Sequence, residues 1–76
     1  MNSRGADNEA VYDELRRIEG EVVQGERQLA EQEGLLVDLQ WRKEDTSKVL
    51  EGLEMMRTQQ RAREHERQKL MSMLRP

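Results

Sequence analysis

The chain has 76 residues, of which 34% are apolar and 38% charged, with a net charge of −3, no cysteine and a single histidine. This composition excludes disulfides, thiolate nucleophiles and cysteine zinc sites, and it leaves His65 without the companions that a histidine metal site requires. Apolar runs such as Leu35-Leu36-Val37 fall far short of the roughly 20 residues of a membrane span, so the expected setting is the cytoplasm, with no membrane contact and no cofactor.

Taken in chain order, residues 1–7 offer almost nothing to bury and are expected to form a disordered tail. Asp7 or Asn8 can cap the helix that follows, and Glu9, Asp13 and Glu14 suit its positive N-terminal end. From there a spacing of alternating threes and fours runs through Val11, Leu15, Ile18, Val22, Gly25, Leu29, Gln32, Leu36, Leu39 and Lys43. Most of these positions are apolar, which predicts a helix over about 8–42. Gly20 and Gly25 each cost about 1 kcal/mol relative to Ala inside a helix, so this is the stretch where a bend, fraying or a division of the helix would fall.

Asp45, Thr46 and Ser47 follow a cluster of charges and are all good N-caps. They predict a turn over about 43–46 and a second helix over about 47–74. Its seam reads Val49, Leu53, Met56, Gln60, Arg63, Arg67, Leu70 and Leu74. Two helices of about 50 and 43 Å on a short connector predict an antiparallel hairpin.

The register supports this reading. Folding about residue 44 sets Leu36 and Leu39 against Leu53 and Val49, sets Leu15 and Ile18 against Met73 and Leu70, and collects Gly25, Gln32, Gln60, Arg63 and Arg67 in the middle. Charge divides in the same way. Residues 1–45 carry 6 Lys and Arg against 12 Asp and Glu, a net of −6, and residues 46–76 carry 7 against 4, a net of +3. Opposite charge on the two arms favours their pairing, at modest and salt-sensitive energy.

Helix 1 has a second apolar stripe, nearly opposite the seam: Val23, Ala30, Gly34, Val37 and Trp41. A helix apolar on two sides is usually buried on two sides. The fold class expected is therefore an all-α, coiled-coil-like hairpin that dimerises into a four-helix bundle. Ala30, Gly34, Val37 and Trp41 form the candidate partner interface, for a second copy or another helical protein, with Trp41 as its anchor.

The stretch from Gly25 to Met56 contains Gly25-Glu26-Arg27, Leu29-Ala30, Leu35-Leu36 and Leu39, followed by Arg42, Asp45-Thr46, Val49 and Leu53. Over roughly residues 21–70 this resembles a group of short alphaproteobacterial proteins with a Gly-Glu-Arg element before an apolar helix and an Asp-Thr opening to a second helix. Members usually carry glycine at the equivalent of Lys43 and a polar residue such as arginine near Trp41, so this chain departs from the pattern at the turn. The resemblance implies a helical hairpin in the bacterial cytoplasm and no particular chemistry.

Catalysis is not expected. Carboxylate pairs such as Glu19 with Glu26 lie on charged helix faces, and acid–base work needs a water-excluding pocket that separates pKa values. The glycines are scattered through helical positions and form no phosphate loop. The strongest competing signal is the basic segment Arg57, Arg61, Arg63, Arg67 and Lys69, a candidate nucleic-acid patch. It lacks interleaved aromatics for stacking and lies beside an acidic helix, so nucleic acid is the less expected partner and the arginines are read mainly as partners for helix 1 glutamates. Leu70, Met71, Met73 and Leu74 are read as closing the end of the hairpin. The function expected is a non-catalytic protein–protein interaction or oligomerisation module, with a weak nucleic-acid accessory role as the alternative.

Overall fold

In a computed structural model, described over residues 3–74 with side chains from Asn8 onward, the chain forms two helices, α1 (Ser3–Trp41) and α2 (Ser47–Met73). They fold back on each other as a rod of 65 × 15 × 14 Å. The helical backbone begins at Ser3, within the stretch expected to be a tail. Once a helix is nucleated, each added residue costs little. Met1 and Asn2 lie outside the described residues.

The two predicted seams are the packed faces. On α1 every seam position from Val11 to Leu39 is buried or half-buried, and on α2 the same holds for all positions from Val49 to Leu74. The core is small: Ile18, Val22, Leu53 and Leu70 are buried, and Leu53 has no exposed surface at all. Lys43, the last position in the helix 1 pattern, is exposed because the helix has already ended.

Gly20 and Gly25 do not divide α1, which is continuous across both. Gly25 instead is buried in the packed face, against the side chains of Gln60 and Arg63. A Cβ built on it would lie 2.0 Å from Gln60 Oε1, 2.9 Å from Gln60 Cδ and 2.8 Å from Arg63 Nη1. Gln60, only 6% exposed, fills that space and donates from Nε2 to the Val22 carbonyl at 2.7 Å. Arg63 Nη1 in turn donates to Gln60 Oε1 at 3.2 Å. The polar middle of the seam is thus a hydrogen-bonded layer made possible by the missing side chain of Gly25.

The connector closes α1 with a Schellman motif. The Glu44 N–H reaches the Leu39 carbonyl at 2.9 Å and the Lys43 N–H reaches that of Gln40 at 3.1 Å, with Lys43 at φ 57°. That left-handed conformation strains an L side chain and suits glycine. Lys43→Gly is therefore expected to stabilise the hairpin by about 1 kcal/mol, raising the melting temperature by roughly 4–8 °C in a thermal melt followed by circular dichroism. An unchanged or lower melting temperature would contradict this account of the turn.

At the start of α2, Asp45 Oδ1 accepts from the Ser47 hydroxyl at 2.7 Å and from the Ser47 N–H at 3.0 Å. The hydroxyl first, and the backbone bond second, hold the Asp45 carboxyl below its ordinary pKa. With a depressed folded-state pKa, this contribution is present above the usual carboxylate range and is lost as pH falls through the depressed value. Thr46 fills the N-cap position by backbone alone, accepting the Leu50 N–H at 2.9 Å without a side-chain bond. Of the three expected caps, the carboxylate of Asp45 is the one whose side chain meets the helix.

Candidate interaction surface

The stripe on α1 opposite the seam is uncovered. Ala30 and Gly34 are exposed, Val23 and Val37 are 54% and 49% exposed, and Trp41 reaches 83%. Burying a tryptophan is worth more than burying almost any other side chain, so an indole in this position is the most prominent unmet apolar group of the molecule. It borders an open surface concavity lined by Gln40, Trp41 and Lys43.

The structure adds residues to this face that the sequence reading left out. Arg57 lies across from Glu33, with Nη2 3.9 Å from Glu33 Oε1, and this pair marks one edge of the hairpin. One helical turn from Glu33 towards the connector lies Val37, and two turns from Arg57 in the same direction lies Leu50, 46% exposed. Val37 and Leu50 therefore share that edge, so the apolar face spans both helices near the turn. Arg27 fills the gap in the stripe, one turn beyond Val23 and before Ala30, and no ion pair of its guanidinium is present among the described residues. Tyr12, 51% exposed, lies near the far end of the same line. Leu50 was hidden because it stands outside the α2 seam and forms no stripe of its own. Arg27 was legible in the heptad spacing but reads as an ordinary solvated cation.

The five cations of the candidate basic patch do not form one surface. Arg63 and Arg67 are half-buried in the seam, with Arg63 Nε 4.0 Å from Glu21 Oε1 and its Nη1 on Gln60. Arg57 faces Glu33, while Arg61 is exposed beside Thr58, donating to its hydroxyl at 3.4 Å. Lys69 is exposed, two turns further along. Such solvent-exposed pairs contribute little energy individually. Their distribution nonetheless spreads positive charge around α2 and directs part of it at α1 glutamates.

On the N-terminal half of α1, Arg17 bridges Glu14 at 2.8 Å and Glu21, and the carboxylates raise its pKa further, Glu14 most strongly. Arg16 pairs with Asp13. These are contacts within one helix face, spaced three and four residues apart. Among the described residues no group of three or more His, Cys, Asp or Glu is arranged to hold a metal ion, and His65 is exposed. A second concavity, along Glu51, Glu54, Met55, Thr58 and Gln59, is open to solvent.

The fold and surface define a two-helix hairpin with a narrow internal core and an unpaired apolar face near its connector. Comparison of the chain with protein-family models, curated proteins and solved structures finds no match. Among the described residues no helix is long and apolar enough to cross a membrane.

Proposed function

We propose that this protein is a non-catalytic interaction module that works by self-association, its α1 outer face completing a four-helix bundle with another hairpin. The observation that carries this reading is the 83% exposure of Trp41 at the end of a face that also holds Val37 and, from α2, Leu50. Burying about 150–250 Å² of aromatic surface is a large gain for a chain in which, among the described residues, four apolar side chains are buried.

The scattering of the α2 cations favours a protein partner over nucleic acid, because phosphate binding gains from cations gathered on one surface. The bacterial cytoplasmic setting rests on the resemblance to the alphaproteobacterial hairpin group, whose members usually carry glycine at the position of Lys43, here at φ 57°.

Light scattering across a concentration series tests the reading. The molar mass is expected to rise from 9.0 kDa towards twice that value, and Trp41→Ala is expected to hold it at the lower value without loss of helicity in circular dichroism. A wild-type chain that stays monomeric at the highest concentration, with Trp41→Ala indistinguishable from it, would remove self-association as the function of this face.

A further inference from the structure

We infer that the second copy lies antiparallel across α1 with its two-fold axis beside Gly34, so that Trp41 of each copy stacks on Arg27 of the other. The inference deepens the self-association reading and rests on it.

The outer face of α1 reads Val23, Arg27, Ala30, Gly34, Val37, Trp41, in unbroken steps of four and three. That is the spacing by which one helix keeps a single line turned towards another. When two copies of one helix meet antiparallel about a two-fold axis, residues equidistant from the axis on either side face each other. An axis beside Gly34 places glycine over glycine and the Trp41 indole over the Arg27 guanidinium, with Val37 and Ala30, three and four residues from the axis, within one residue of level. Each bulky group then meets a small one or a cation, and a guanidinium over an indole is the most favourable cation–π pairing. A parallel pair would instead set Trp41 on Trp41 and bring Arg27 against Arg27, large on large and charge on like charge.

Gly34 gains a purpose in this arrangement. Within the monomer a Cβ there would meet nothing within 4 Å, so the glycine weakens α1 without relieving any crowding. A second helix passing over it uses the missing side chain, as Gln60 uses that of Gly25.

Charges along the contact agree. Asp38 comes level with the stretch between Arg27 and Glu31 of the other copy, and Arg27, nearer the contact line, takes it. Glu33 of each copy approaches the axis, where Arg57 already stands 3.9 Å from its carboxylate and offsets the repulsion. Only the part of α1 between about Glu26 and Trp41 overlaps its counterpart, because the connector ends the helix. The contact is therefore shorter than a standard interface, and the dimer is concentration-dependent. Two rods 65 Å long, overlapping only near their turns, give an assembly about 100 Å long.

The chain has no native cysteine, so introduced ones report the geometry directly. Gly34→Cys is expected to form a disulfide dimer by itself under mild oxidation. Ala30→Cys and Val37→Cys are expected to crosslink when mixed and far less when alone, since each then lies about 10 Å from its own copy along the axis, too far for a disulfide. Small-angle scattering of the wild type should show the longest dimension growing towards about 100 Å as the dimer forms. Arg27→Ala is expected to weaken dimerisation about tenfold with the hairpin intact. Ala30→Cys or Val37→Cys crosslinking alone as readily as in the mixture, or a dimer no longer than the monomer, would overturn the antiparallel register. If in either case Trp41→Ala still abolished dimerisation, the wider reading of the face would stand. A wild type that never dimerises would overturn both.

Discussion

Gly25→Ala is expected to destabilise the hairpin by roughly 1–2 kcal/mol, and Gly20→Ala to stabilise it by about 1 kcal/mol. The same chemical change should have opposite signs at two positions of one helix. In the helix alone both substitutions are favourable, because Ala loses less backbone freedom than Gly. At Gly20 nothing stands within 4 Å of the new methyl group, so only that gain is felt. At Gly25 the methyl group occupies the position of the Gln60 carboxamide. Either Gln60 leaves, breaking its bond to the Val22 carbonyl and its contact with Arg63, or the helices part and the buried residues around the layer lose packing. Removing Gln60 isolates the cause. In a Gln60→Ala background Gly25→Ala should become stabilising by about 1 kcal/mol, which makes the coupling between the two sites about 2–3 kcal/mol. Urea denaturation of the four proteins in the cycle decides it. Equal effects of Gly25→Ala in both backgrounds would show that the glycine is not there for Gln60.

This layer marks the boundary of what the sequence makes legible. The seams, the connector and the antiparallel register follow from spacing, because a period of three and four residues has only one structural meaning over such lengths. The placement of Gly25, Gln60 and Arg63 in the middle of the rod follows as well. The kind of contact they make does not. A glycine in a helical pattern reads as a weakness, and only the partner helix shows that Gln60 needs the space. The same holds for Lys43, whose left-handed backbone is invisible in a run of charges, and for Leu50, which joins the apolar face through the neighbouring helix rather than through its own periodicity. Arg57 and Arg63 show the reverse. Their pairing with α1 carboxylates was expected from charge alone, and the contacts at 3.9 and 4.0 Å select Glu33 and Glu21 from a larger set of glutamates. Sequence periodicity thus reports which face is buried, and the identity of each contact depends on the second helix.

Leu53→Ala is expected to cost about 3 kcal/mol, more than half of what holds a domain this small, and to lower the melting temperature by roughly 12–24 °C. Among the described residues Leu53 is the one large side chain with no exposed surface, and the other buried apolar side chains are Ile18, Val22 and Leu70. Truncating a buried leucine removes its transfer energy and leaves a cavity that two rigid helices close poorly. Folded domains of this size have about 5 kcal/mol of stability to lose, and a two-helix rod with so few buried residues belongs at the low end. Leu35→Ala is the matched control. Leu35 is 42% exposed, and the same truncation there should cost below about 1 kcal/mol. Concentration separates this effect from that of Trp41. Leu53 lies in the seam between α1 and α2 of one chain, so in dilute protein, where the copies are apart, the drop in melting temperature on Leu53→Ala should persist in full. Trp41→Ala should have no effect there and should show itself only where the wild type associates. A Leu53→Ala chain that kept the wild-type melting temperature when dilute would mean that the hairpin is not held by its own seam.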